Sequence, residues 1–180
     1  MKKLDLGCGR KKTEGCIGID VVQLPGVDIV HNLSNFPWPL ETNSFDFIYT
    51  NHYLEHVDDI IKTLREIHRI SAPNGILKIR VPHYASDNFH SDLTHKVAFG
   101  YRSFDHYSIN GNIDYDFYVN FKFEILSREI VFYLGRYPNF FKILGVHFLA
   151  NKFPRIFERF FCYWIPPIEL KFELRVIKSA

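Results

Sequence analysis

Apolar positions come as short blocks in the first half of the chain and at regular spacing in the second. Residues 3–6 predict a first strand. Ile17-Gly18-Ile19-Asp20 predicts a second, ending on a carboxylate, and residues 27–33 predict a third. Phe36-Pro37-Trp38-Pro39-Leu40 and the turn at Asn43-Ser44 lead into a fourth strand over residues 45–49, running out at Thr50-Asn51-His52. Leu54-Glu55-His56-Val57 reads as a helix start with Asp58 and Asp59 in its first turn, where acids suit the helix dipole. Ile60, Ile61, Leu64, Ile67 and Ile70 then mark one apolar helix face, and Pro73-Asn74-Gly75 stops it. Residues 75–81, closed by Pro82, form the fifth predicted strand.

The rest of the chain changes character. Residues 83–120 are polar, aromatic and rich in histidine, residues 121–134 alternate as a strand does, and residues 168–177 alternate strictly. Between these two strands, residues 138–164 carry Phe140, Phe141, Leu144, Phe148, Phe153, Ile156, Phe157, Phe160 and Phe161. That spacing predicts one or two amphipathic helices, broken near Pro154.

Strands alternating with helix and loop predict an α/β sheet, parallel over most of its width. A parallel crossover normally takes a helix and a dozen or more residues. Arg10 to Cys16 supply only seven between the glycine turn and the second strand, so a loop or single helical turn is expected there.

The glycine turn carries the first chemistry. Leu4-Asp5-Leu6-Gly7-Cys8-Gly9 runs a strand into two glycines, which let the backbone pass close to a bulky ligand. Asp20, at the end of the next strand, can accept two hydrogen bonds from a ribose diol. Together they place a nucleoside-type cofactor at the carboxyl ends of parallel strands. A nicotinamide site would read G-x-G-x-x-G with its acid about 20 residues on. Here Arg10, Lys11 and Lys12 follow Gly9, and no helix start follows to meet a pyrophosphate.

Asp-Leu-Gly-Cys-Gly with that placed acid resembles the class I S-adenosylmethionine (SAM)-dependent methyltransferases. Ser44-Phe45-Asp46, Leu54-Glu55-His56-Val57 and Ser71-Ala72-Pro73-Asn74-Gly75 are similar to phrases of the type-11 group. The short opening resembles small bacterial and archaeal methyltransferases suspected to act on surface glycans. The resemblance covers residues 3–82 and, less distinctly, the last strand. It implies a Rossmann-like sheet with the last strand antiparallel; this chain departs from the common pattern by its shortened first crossover and by an aromatic helical insertion before that last strand. It implies SAM as cofactor, held by Asp5, Gly7, Cys8, Gly9 and Asp20, with Asn32 and Leu33 at the adenine and Asn51 and His52 lining the crevice. Tyr53 falls in the same neighbourhood, while Glu55 and His56 suit helix start and packing at least as well as catalysis.

Composition sets bounds on this picture. The chain has 180 residues, 47% of them hydrophobic, and a net charge of +2. One domain is expected, with residues 1–82 as the cofactor half and residues 83–120 and 135–167 as acceptor and cap segments. Only six of the thirty aromatic residues fall in residues 1–82. The mild charge gives no basic patch for nucleic acid, and no base-methylating Asn-Pro-Pro-Tyr motif follows the fourth strand. Cys8, Cys16 and Cys162 are odd in number and lack metal or disulfide spacing, which suits reduced thiols in a cytoplasmic protein. The first strand begins at once, leaving no room for a signal peptide. No run of about 18 apolar residues is present.

For methyl transfer to a hydroxyl, a group near neutral pKa must take the proton. His83, directly after the fifth strand, is the first candidate. His95, within Asp92-Leu93-Thr94-His95-Lys96, is the second. With Asp87, His90 and Asp92 they could also hold a divalent ion, but no spacing matches a metal signature and none is assigned. The expected acceptor is a small molecule or glycan. Two other readings stay open: a SAM-binding protein without turnover, and aminopropyl transfer on the same fold. The aromatic segment reads first as inward-packing cap or homodimer surface, with contact to a membrane surface as the less favoured use.

Overall fold

The computed structural model describes residues 1–111, 119–132 and 145–178. Its centre is a seven-stranded sheet in the order β3-β2-β1-β4-β5-β7-β6. The strands are β1 (Lys3–Leu6), β2 (Ile17–Asp20), β3 (Ile29–Val30), β4 (Phe45–Asn51), β5 (Ser71–Pro82), β6 (Lys122–Val131) and β7 (Glu169–Ile177). β1 pairs in parallel with β2 and β4, and β2–β3 and β4–β5 are also parallel. β7 runs antiparallel to both β5 and β6. The order puts the carboxyl ends of β1 and β4 side by side, with Leu6 opposite Thr50 and Leu6 also opposite Ile19.

The first crossover contains no helix. Thr13 N donates to Asp5 Oδ2 at 2.6 Å, and Cys16 N to Thr13 O at 3.1 Å, so a buried carboxylate holds the short loop in place of helical packing. The third strand is shorter than its apolar pattern predicts. Asp28 spends its carboxylate on Gly18 N at 2.6 Å and Lys12 Nζ at 2.8 Å. An Asx turn at Asn32 (Ser34 N to Oδ1, 2.9 Å) then takes the chain away from the ladder.

The helix after β4 also starts later than expected. Residues Leu54–His56 form a 3₁₀ turn, Val57 is extended, and α1 spans Ile60–Ile70. Asp59 is its cap, accepting from Lys62 N at 2.9 Å, so the two acids sit before the helix and not in its first turn. Glu55 and His56 thereby lie in the 3₁₀ turn, outside α1. β5 begins at Ser71, but its pairing jumps from Phe45↔Ser71 to Phe47↔Ile76, and residues 72–75 loop out around Asn74 (φ 62°).

Leu4, Leu6, Ile48 and Leu77 of the sheet and Leu64, Ile67 and Ile70 of α1 are fully buried in one core. Each such side chain contributes about 1.5–3 kcal/mol on burial. The short α2 (Asp87–Ser91) follows β5, and α3 (Val146–Lys152) and α4 (Pro154–Phe160) lie in the described part of the connection from β6 to β7. The break falls at Pro154, the first residue of α4, and residues 138–144 of the expected helical stretch lie outside the described residues.

The inward-packing expectation for this insertion holds only for part of it. Ala150 and Phe157 are buried, but Phe148, Phe153, Ile156, Phe160, Phe161 and Trp164 are exposed. Helices of seven residues present too narrow a face to the sheet to bury an aromatic at every turn. Among the described residues, no helix is long and apolar enough to cross a membrane.

Candidate functional site

A cleft of about 220 Å³ opens at the carboxyl ends of β1, β2 and β4. Gly7, Asp20, Asn32 and Leu33 line it, as the glycine turn and strand-end acid require, together with Tyr53 and His56. Gly7 has φ +65°, and a Cβ there would stand 2.9 Å from Tyr53 Cβ, so the Tyr53 side chain packs directly on the glycine backbone. Gly9, at φ +51°, has nothing within 4 Å of its Cβ position, which leaves the turn open on its outer side. That is the shape required where a ligand lies along the chain.

Asp20 is fixed by its own loop. Oδ2 accepts from Gly9 N at 2.9 Å and Oδ1 from Val22 N at 3.1 Å. Each carboxylate oxygen keeps a second lone pair, enough for the two hydroxyls of a ribose. Asp5 does not line the cleft; it is buried and serves the loop through Thr13. Burial raises its carboxyl above the usual range, with the Thr13 amide pulling the other way. Cys8 is buried, its thiol pushed up to about 11 by desolvation and the nearby carboxylates, so it is a packing group and no nucleophile. Its Sγ would lie 2.7 Å from a Cβ at Gly18.

The wall at Asn32 and Leu33 is held from a distance. Trp38, almost fully buried, donates Nε1–H to Leu33 O at 2.9 Å, and its amide donates to Glu66 Oε2 at 3.0 Å. Glu66 in turn holds Arg69 through two contacts of 2.8 Å. Burial pushes the Glu66 carboxyl up, but Arg69 and the Trp38 amide together hold it below its ordinary value. Glu66→Ala is therefore expected to cost about 2 kcal/mol in urea denaturation, because it leaves a buried amide unpaired. It should also loosen cofactor binding by less than about tenfold, since it moves a wall and removes no ligand contact.

Asn51 is exposed at the end of β4 and is not among the residues lining the cleft. His52, at φ 54°, is turned aside. Its Nδ1 lies 3.0 Å from Glu55 Oε1 and its Nε2 3.5 Å from Glu169 Oε2. Hydrogen bonds to Glu169 and Glu55 raise its pKa to about 9. It is thus a cation clamped between two buried carboxylates.

The two histidines singled out for catalysis part company. His83 is fully buried. Its Nδ1 accepts from Ala85 N at 3.0 Å and its Nε2 lies 3.1 Å from Glu158 Oε1 of α4, so both ring nitrogens are used inside the protein. His95 stands beside the cleft, its ring centroid 4.6 Å from that of His56. Glu55, His56 and His95 each offer a ligand atom, all within 4.8 Å of one another. Backbone bonds from Lys96 N (2.7 Å) and Val97 N (3.0 Å) to Glu55 O clip the His95 loop onto the 3₁₀ turn. Glu55 and His56 belong to the same Leu-Glu-His-Val phrase that gave the resemblance, but its placement against residues 92–97 is a long-range event.

Residues 1–112 match the family model described as a methyltransferase domain. The chain belongs to that family. Its fold is shared by a SAM-dependent methyltransferase from Archaeoglobus fulgidus at 17% identity and a TM-score of 0.61, covering 97% of this chain and 85% of that one. A putative methyltransferase of Haloferax volcanii, solved in complex with the Trm112 methyltransferase activator, is similar at 14% identity and 0.59, over 99% and 83% of the two chains. The [4+2]-cyclase SpnF is similar at 18% identity and 0.54, over 99% and 76%. No curated protein matches the chain in sequence. At these identities the structural likeness establishes the methyltransferase sheet, and the reaction must be argued from this chain's own cleft.

Proposed function

We propose that the protein transfers a methyl group from SAM to a hydroxyl of a small-molecule or glycan acceptor. The observation that carries the reading is the cleft itself: a turn with room beside Gly9, a carboxylate at Asp20 with two spare lone pairs, and a polar histidine cluster at the same mouth. Bound there, SAM supplies a methyl group already activated by its sulfonium. Asp20 holds the ribose, Gly7 and Gly9 let the methionine portion pass, and the Asn32–Leu33 wall, braced by Trp38, faces the adenine. Asp5 and Cys8 shape the loop beneath, and His52 with Asn51 closes the strand end. Positioning then does most of the work, because the acceptor oxygen need only be held in line with the methyl carbon.

Residues 83–120 supply the acceptor side, in one domain with the cofactor half. His95 is the catalytic residue there, acting through its Nε2. His83 is a positioning group that ties β5 to α4. The three buried free thiols suit work in a reducing cytoplasm. The similar fold of a [4+2]-cyclase keeps a second reading alive, cofactor binding without methyl transfer.

Incubation of the protein with methyl-labelled SAM and a panel of sugars and nucleotide sugars separates the two. Label in a product supports transfer; SAM binding with no label in any acceptor favours the second reading. On the acceptor found, His95→Ala should lower kcat about 100-fold or more. His83→Gln should instead lower stability by about 1–2 kcal/mol, the cost of disturbing a buried hydrogen-bonded group, with kcat falling less than about tenfold.

A further inference from the structure

The Glu55–His56–His95 cluster has an order that packing alone does not require. Phe89 O, a carbonyl and hence only an acceptor, lies 2.9 Å from His95 Nδ1, so that nitrogen carries a proton. Thr94 Oγ1 lies 2.9 Å from His56 Nδ1 and gives its single proton to Asp92 Oδ1 at 2.7 Å, so it accepts from His56. Both Nδ1–H groups are thus committed to outer partners, and in the neutral rings both Nε2 lone pairs are left over. Fixing a histidine's tautomer through its far nitrogen is how proteins hold metal-binding imidazoles.

The third member is Glu55, fully buried. Its Oε1 is 3.0 Å from His52 Nδ1 and 3.9 Å from His95 Nε2, and its Oε2 has no hydrogen-bond partner at all. A buried carboxylate oxygen left without a partner is costly. A cation held on the Glu55 carboxylate beside His95 would offset the cost of its burial. Asp92 Oδ2, also 3.9 Å from His95 Nε2, adds negative charge at the outer side.

We propose that Glu55, His56 and His95 form a site for one divalent first-row transition-metal ion at the mouth of the cofactor cleft. Ligands about 2.1 Å from a common ion stand roughly 3–3.5 Å apart, so atoms now within 4.8 Å must close by at most about 1.3–1.8 Å. His56, partly exposed, has the freedom to do so. Two imidazoles and one carboxylate suit manganese, iron, cobalt or zinc better than magnesium or calcium, which prefer all-oxygen ligands.

Three protein ligands leave coordination positions open toward the cleft that His56 lines. The substrate class that fits is a vicinal diol, whose two oxygens chelate the ion. This use rests on the methyl-transfer reading; the ion site itself does not. The coordinated hydroxyl releases its proton to solvent, as metal-bound water does more readily than free water. Its oxygen forms the new O–CH₃ bond as the S–CH₃ bond breaks, and the metal keeps its oxidation state. With the ion bound, His95 acts as a ligand through Nε2 and takes no proton itself, its role as proton acceptor passing to solvent.

The test uses the full chain, freed of metal with chelator, titrated with MnCl₂ and ZnCl₂ by calorimetry and with CoCl₂ by visible absorption. One equivalent should bind, and the cobalt bands should report nitrogen ligands. His95→Ala and Glu55→Gln should each weaken binding at least about tenfold, as should Thr94→Val, which removes the acceptor of His56 Nδ1 together with a hydrogen bond to Asp92 and touches no ligand atom. Thr94 is an exposed loop residue, so that variant serves even where Glu55→Gln fails to fold. SAM affinity, measured separately, should change little in all three. Absence of binding by all three ions, or binding equal in wild type and the His95→Ala and Thr94→Val variants, overturns the proposal. Loss of SAM binding by wild type with metal binding intact overturns the methyltransferase reading and leaves the ion site standing.

Discussion

Replacing Asp20 by alanine is expected to raise the dissociation constant for SAM, and for S-adenosylhomocysteine, about 100-fold or more, a loss of roughly 2.8 kcal/mol. The size follows from what one carboxylate does. It offers two charge-assisted hydrogen bonds to a ribose diol, each worth about 1.5–3 kcal/mol. It also holds the Gly9 amide at 2.9 Å and the Val22 amide at 3.1 Å, so the variant loosens the glycine turn that the cofactor must lie along. Fold stability should fall by only about 1 kcal/mol, because Asp20 is partly exposed and its amide partners can reach water. Asp20→Asn should fall between the two. Its oxygen can serve one amide, but its NH₂ group turns a donor toward the other. Isothermal titration of the three proteins decides the matter: unchanged SAM affinity in the alanine variant would mean that the cofactor lies elsewhere.

What made Asp20 legible is that its chemistry is local. β1, the turn and β2 lie within twenty residues, and their bounds at Lys3–Leu6 and Ile17–Asp20 agree with the apolar blocks. The absence of a helix between them could be read from length alone. The family match over residues 1–112 covers the same ground.

Long-range partners were a different matter. His83 follows a strand, as a catalytic residue on this fold should, yet Glu158, seventy-five residues later, draws its ring into the interior. Nothing near residue 83 in sequence announces that. Asp5 reads as part of a cofactor turn but is consumed by Thr13. The three possible metal ligands escape any spacing rule because two come from residues 55–56 and the third from residue 95. The exposed aromatics of α3 and α4 misled in the opposite direction, since helical spacing reports a common face without reporting what covers it.

The second large effect is expected at Glu169, a residue that strict alternation along β7 identifies only as one more position on a strand. It is 1% exposed, and Arg80 of β5 donates to both its oxygens at 2.8 and 2.9 Å. His52 Nε2 approaches it at 3.5 Å from the end of β4. One carboxylate therefore ties β4, β5 and β7 together behind the histidine cluster. Removing one partner of a buried ion pair costs about 3–5 kcal/mol, and the lower end applies because Arg80 is a third exposed. Glu169→Ala should thus lose about 3 kcal/mol in chemical denaturation, against a total of about 5–15 for a domain. The pH dependence separates this cause from a mere cavity. Burial raises the Glu169 carboxyl, but hydrogen bonds from His52 and Arg80 outweigh it and hold the group below its ordinary value of 4.5. A depressed folded-state pKa gives stability that is present above the unfolded value and lost as pH falls through the folded one. The wild type should therefore lose part of its stability in acid, below about pH 4.5, and Glu169→Gln should flatten that limb of the curve. An acid limb of equal slope in both proteins would show that Glu169 is not the group being titrated. Because His52 is held between Glu169 and Glu55, the same glutamine variant should also disturb the orientation of Glu55. Stability and metal affinity would then fall together from a residue that touches neither cofactor nor ion.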